Sequence, residues 1–197
     1  MGQLINLRAY ARPTHAATVV FVDLQLEHVA SPRALVGGLE RALANCRAVL
    51  RHARHAGLPV AFARLMPGAP PVATQASFTR WIDGFTPTRA DMIFDRDKPS
   101  CYASAEFREV INQVGCRFVL AGFSGEAGCL ATAIDAFHRG HHVTFLADAS
   151  ASHARGDLDA ARAHRAVTDL IALYGSVQTT ADWLAESARA TSMTARR

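Results

Sequence analysis

Lysine is almost missing from this chain: of its 21 lysine and arginine residues, only Lys98 is a lysine. A guanidinium stays charged and spreads that charge over a planar fork, whereas an ammonium is a compact charge whose pKa responds to burial. The single exception therefore points to a position that needs the chemistry of lysine, beyond its charge. Long apolar runs are absent too, which excludes a membrane-spanning helix. The polar start from Met1 to His15 lacks the apolar middle of a signal peptide, so a cytoplasmic protein is expected, with no membrane partner. Cysteine is scarce and scattered (Cys46, Cys101, Cys116, Cys129), and a chain of 197 residues can bury enough apolar surface to need no disulfide framework. Reduced thiols are expected. Basic clusters are missing as well: the net charge is +4, but the arginines stand singly, without a stripe of interleaved aromatics, so no nucleic-acid partner is expected.

What is present is a hydrophobic share of 50 % and a regular alternation of apolar runs with segments of 3.6-residue periodicity. Residues 17–23 read as a buried strand by their β-branched content. A helix follows, with Ser31 as N-cap and Pro32 just inside it. Its apolar face is Leu35, Val36, Leu39, Leu43, Cys46, Val49 and Leu50, and Gly57 ends it. Residues 58–65 form a second strand, and a proline-rich connection runs from Met66 to Arg89. A short strand is expected at 92–94, then a helix with Phe107, Val110, Ile111 and Val114 on one stripe, stopping at Gly115. Strands at 117–123 and 142–147 flank a helix at 129–139 closed by Gly140. A helix at about 157–174, a strand near Val177 and a helix from about Ala181 complete the pattern. Strict β–α alternation with short connections predicts an α/β fold in which a parallel sheet carries helices on both faces. A single domain over 1–197 is expected, with an extension at about 1–14 and a flexible basic tail at about 189–197.

In such a sheet, ligands bind beyond the carboxyl ends of the strands. Asp23 ends the first strand, Lys98 follows the third, and Cys129 follows the fourth, where the loop GFSGEAG turns into a helix. A cysteine at a helix N-terminus has its thiolate favoured by the helix dipole and by free N–H groups, and a nearby ammonium adds to this. An aspartate supplies a base.

The segments VVFVDLQ (19–25), DKPSCYASAEF (97–107) and VLAGFSGEAGCLATAIDAFHRGHHVTFLADASAS (119–152) resemble the isochorismatase-like cysteine hydrolases, a family that includes nicotinamidases and N-carbamoylsarcosine and ureidoacrylate amidohydrolases. That resemblance implies a three-layer, Rossmann-like fold with a six-stranded parallel sheet, and an Asp23–Lys98–Cys129 triad. It also implies a cis peptide between Ser124 and Gly125, with the N–H groups of Gly125 and Cys129 forming an oxyanion hole. The implied reaction is hydrolysis of a C–N bond in a small amide, carbamoyl or ureido substrate through a thioester, without a cofactor. A vinyl-ether hydrolase of the isochorismatase type and a non-catalytic binding protein are the alternatives. Residues 65–79 hold no His, Asp or Glu, so the metal cluster of nicotinamidases is not expected. Gln25, His28, Trp81, Tyr102 and Glu126 are candidate substrate contacts; Glu126 is read as slightly favouring solvent, since glutamate is rarely buried unpaired. Relatives commonly assemble, so a homo-oligomer is expected.

Overall fold

The computed structural model describes residues 17–30, 38–66 and 80–194. Strand β1 (Thr18–Val22) is buried along its whole length, as a run of β-branched and aromatic residues at the centre of a parallel sheet must be. It pairs in parallel with β2 (Val60–Leu65) on one side and β4 (Arg117–Gly122) on the other, Val19 lying level with both Val60 and Val119. Beyond β2 lies β3 (Met92–Arg96); beyond β4 lie β5 (His142–Ser150) and then β6 (Ser176–Gln178). All pairings are parallel, and the sheet has six strands in the order β3-β2-β1-β4-β5-β6. The order reverses between β1 and β4, which makes their carboxyl ends the switch point where such folds place ligands.

Alternate residues of the strands face two separate cores. On one face Val19, Phe21, Phe62 and Val119 pack on helix α2 (Leu39–His55) through Leu43, Cys46, Val49 and Leu50, and on the C-terminal helix through Trp183. On the other, Val20, Val22, Phe94, Phe118 and Phe145 meet α3 (Ala105–Gln113), α4 (Leu130–His138) and α5 (Ala160–Ile171). A one-turn helix α1 (Glu27–Ala30) follows β1, and α6 (Thr180–Thr194) ends the described chain. Capping follows the sequence: Ser104 accepts the N–H of Phe107 at the start of α3, and Asp159 that of Arg162 at the start of α5.

Several boundaries differ from the periodicity-based expectation. The expected cap Ser31 with Pro32, and the face residues Leu35 and Val36, lie outside the described residues, as does the 1–14 extension; α2 begins after Gly38. Strand β3 runs two residues past Phe94, because Leu65 and Arg96 still pair in register. Strand β5 runs three residues past Ala147 to Ser150 through an irregularity: Leu120 pairs with Phe145, but Gly122 pairs with Ser150. Helix α6 carries regular structure to Thr194, through most of the stretch expected as tail.

Candidate active site

Asp23 leaves β1 with φ 47°, a left-handed conformation uncommon outside glycine. Its N–H donates to Ala63 O at 2.9 Å, and its Oδ1 accepts the N–H of Leu65 at 2.9 Å, so the carboxylate is fixed across the ends of β1 and β2. Its second oxygen, Oδ2, accepts a hydrogen bond of 2.5 Å from Arg96 Nη2. Both side chains are buried, Arg96 fully. Burial pushes the Asp23 carboxyl up to about 6, against the opposing pull of Arg96 and of the Leu65 N–H.

The cation that meets Asp23 in the structure is Arg96 and not Lys98. The side chains of Met92, Phe94 and Arg96 alternate inward along β3, so the last of them reaches the switch point. Lys98 lies beyond the strand and is exposed. What it offers the site is its backbone carbonyl, which accepts from Arg96 Nη1. The guanidinium therefore spans two acceptors and leaves Asp23 gripped by one prong. A Cβ on Gly128 would come within 2.6 Å of Val22 Cγ1 and 3.3 Å of Arg96 Nη2, so glycine there lets the loop close over this pair.

That loop begins at Gly122, whose φ of 109° and closeness to β1 exclude any side chain: a Cβ would lie 2.1 Å from Val22 O. The non-proline cis peptide lies between Phe123 and Ser124, not between Ser124 and Gly125. Phe123 N–H is anchored to Val22 O at 2.7 Å and Gly125 N–H to Ala151 O at 2.9 Å, so the chain changes course between these anchors. A π turn, Gly125–Cys129, then takes up the remaining length, with Cys129 N–H donating to Ser124 O at 3.2 Å. Such turns add one residue to a helical start. Both N–H groups expected to form an oxyanion hole are thus engaged, Gly125 with Ala151 and Cys129 with Ser124.

Cys129 is fully buried at the head of α4, its thiol 3.7 Å from Gly122 O and 3.9 Å from Ser150 Oγ. Burial holds this thiol well above its ordinary pKa, with the Ser150 hydroxyl pulling the other way and Cys101 and Asp23 adding to the rise. It rests protonated. Cys101 is buried too, its N–H on Thr132 Oγ1, and its thiol feels both Arg96 and Asp23. Ser150, Ser152 and His164 wall the loop from the β5 side; a Cβ on Gly125 would come within 2.7 to 3.3 Å of them. His164 Nε2 donates to the Ala147 carbonyl at 2.8 Å, and its Nδ1 lies 3.0 Å from Ser152 Oγ.

The proposed substrate contacts divide. Gln25 is buried and exchanges hydrogen bonds with the backbone of Leu65. Trp81 packs edge-on against Phe62 under the Arg64 guanidinium. Tyr102 is buried against Phe107, with its hydroxyl on His141. All three are occupied in packing. His28 and Glu126, in contrast, come together beside the cysteine loop. Glu126 does not face solvent: its side chain is 9 % exposed and bonded to His153 and Arg155. Arg96 was legible as the third inward residue of an alternating strand; Ser150 was hidden by the irregularity in β5, and His164 by its place 35 residues beyond the cysteine. Among the described residues no group of three His, Cys, Asp or Glu is placed to hold a metal, and no helix is long and apolar enough to cross a membrane.

This is a doubly wound α/β protein whose buried carboxylate, guanidinium and thiol gather at the switch point. Residues 17–182 match the model of the Isochorismatase domain, and the chain belongs to the isochorismatase family. No curated protein matches it significantly in sequence. Among solved structures it is similar to an isochorismatase from Pseudomonas putida KT2440, at 22 % identity and TM-score 0.78, covering 89 % of this chain and 96 % of that one. It is similar as well to a cysteine hydrolase from Pseudomonas syringae pv. phaseolicola, at 20 % identity and TM-score 0.78, covering 91 % and 100 %. An isochorismatase-like hydrolase from Alkaliphilus metalliredigens matches at 17 % identity and TM-score 0.73, covering 87 % and 98 %. At these identities the likeness establishes the shared fold.

Proposed function

We propose that the protein is a cysteine hydrolase that cleaves the C–N bond of a small amide, carbamoyl or ureido substrate through a thioester, with Cys129 as nucleophile and Asp23 as base. The observation that carries this reading is a buried carboxylate with a near-neutral pKa, locked to Arg96, at the same strand ends as a buried thiol heading a helix. Arg96 takes the role the sequence suggested for Lys98.

At pH 7 Asp23 is mostly ionised and removes the thiol proton as the sulfur attacks the carbonyl carbon. The C–S bond forms, and the carbonyl electron pair moves to oxygen. With the Gly125 N–H bonded to Ala151 and the Cys129 N–H to Ser124, the donor at hand for that oxyanion is the Ser150 hydroxyl; one such donor is worth on the order of 3 kcal/mol. Protonated Asp23 gives its proton to the nitrogen as the C–N bond breaks, and ammonia or an amine departs. Water, deprotonated by the same carboxylate, then splits the thioester into an acid and the thiol. Arg96 keeps Asp23 in place through both halves. Ammonia release from a panel of amides, ureas and carbamoyl acids tests this. Turnover is expected in the parent and not in Cys129→Ala, with an acyl adduct on Cys129 visible by mass spectrometry. Parent-level turnover in Cys129→Ala would remove the cysteine mechanism.

A further inference from the structure

Two buried polar atoms beside the cysteine loop, linked through His153, are left unused by this chemistry. Glu126 Oε2 and His28 Nδ1 are both buried, and neither has a hydrogen-bond partner. The other oxygen of Glu126 is oversupplied: Oε1 meets His153 Nδ1 at 2.6 Å, the His153 N–H at 3.4 Å and Arg155 Nη2 at 3.2 Å. A carboxylate oxygen can only accept, so His153 carries its proton on Nδ1. Burial pushes the Glu126 carboxyl up, but the bonds from His153 and from its own N–H outweigh that and leave it below the ordinary value, hence ionised. Its carboxylate is thus fixed by one oxygen while the second is left bare, at a cost that a ligand donor would remove.

The His28 ring lies 6.3 Å from that of His153 and 5.8 Å from that of Phe123, which follows Gly122 in the cysteine loop. It also feels the charges of Glu126 and Arg96. Burial lowers its pKa to about 4, and it is neutral at pH 7, with one ring nitrogen free to accept. Glu126 itself stands three residues before Cys129 in the π turn.

We propose that Glu126 Oε2 and His28 Nδ1 form the specificity subsite of the active site, accepting two N–H groups of a planar ureido or guanidino head group and rejecting a carboxylate. The inference rests on the cysteine-hydrolase reading for its place beside Cys129. Two acceptors held on separate elements, α1 and the π turn, would each take one N–H of such a planar group. A carboxylate in the same position would meet the Glu126 charge in a buried setting, where like charges repel strongly.

The test reads binding without turnover. Full-length Cys129→Ala protein is titrated with N-methylurea, methylguanidinium and acetate while the His28 ring resonances are followed by NMR. At least one donor probe is expected to shift His28 and to bind at least tenfold more tightly than acetate, which probe does so distinguishing a neutral from a cationic head group. Glu126→Gln in the same background is expected to weaken that probe at least tenfold. Should Glu126→Gln lose the fold by circular dichroism, His28→Phe, which keeps a ring against Phe123 but lacks Nδ1, must show the loss, read there at the ring resonances of the neighbouring His153. Acetate binding as tightly, neither donor probe binding, or unchanged affinity in these variants would overturn the subsite. Absence of Cys129-dependent turnover in the parent would instead overturn the cysteine-hydrolase reading.

Discussion

At the scale of single residues, Asp23 carries the most consequence, because its environment sets both its geometry and its proton. With its carboxyl near 6, kcat/KM should rise with pH through about 6 as the base loses its proton, and Asp23→Asn should remove both the activity and that limb. A limb centred near the ordinary carboxyl value of 3.8 would show a solvated base instead. Stability runs the other way. A carboxyl whose folded pKa lies above its unfolded value contributes stability that is complete below about 4 and lost as pH rises through 6. The cation beside it gives a second contrast. Lys98→Ala should leave kcat within about twofold, since Lys98 is exposed and offers only a carbonyl that alanine also has. Arg96→Ala leaves a buried carboxylate unpaired and should cost roughly 3–5 kcal/mol of stability along with activity. Paired denaturation and kinetic measurements on the two variants check this. A severe loss of kcat in Lys98→Ala would restore the lysine to the mechanism.

At the scale of elements, the joint from β4 through the cysteine loop to α4 decides whether the thiol reaches the site. Gly122 turns with φ 109° against the Val22 carbonyl, a conformation and a contact that no side chain tolerates. Gly122→Ala should therefore destabilise the fold by about 3 kcal/mol or more, through strain and through displacement of β1 from β4. Urea unfolding of this variant beside Gly140→Ala is the comparison. Gly140 also has positive φ but open space around it, so its alanine variant should lose only the smaller conformational part. Equal losses would mean that the contact with Val22 is relieved by a small shift. The irregularity in β5 belongs to the same joint, because it carries Ser150 to the level of Gly122 and places its hydroxyl near Cys129.

At the scale of the whole molecule, the strand order gathers residues that are far apart in sequence. Asp23, Arg96 and Cys129 come from three strands, and the reversal between β1 and β4 leaves their carboxyl ends free of the crossover helices that cover the sheet. Residues 65–79 contain no His, Asp or Glu, and among the described residues no group of three His, Cys, Asp or Glu is placed to hold a metal. Activity should consequently survive exhaustive dialysis against a strong chelator, measured as ammonia release before and after. Recovery of lost activity only on return of a divalent ion would point to ligands brought together elsewhere.

The sequence by itself determined the layering, because β–α alternation with buried β-branched strands permits only a parallel sheet with helices on both faces. It also placed Asp23 at the end of the first strand, where an apolar run stops, and Cys129 beyond the fourth, where the loop GFSGEAG turns into a helix. Only the tertiary structure decided which cation meets Asp23. Rarity singled out Lys98, but burial depends on register, and the pairing of Leu65 with Arg96 carries the arginine inward while the chain beyond it turns out to solvent. The register of the cysteine loop was likewise beyond a linear reading: a π turn changes which N–H groups are free by one residue, and nothing in GFSGEAG marks that shift. Glu126 shows the same dependence. Its burial follows from His153 and Arg155, which are 27 and 29 residues away in the chain and reach it only once β5 has been carried past the loop.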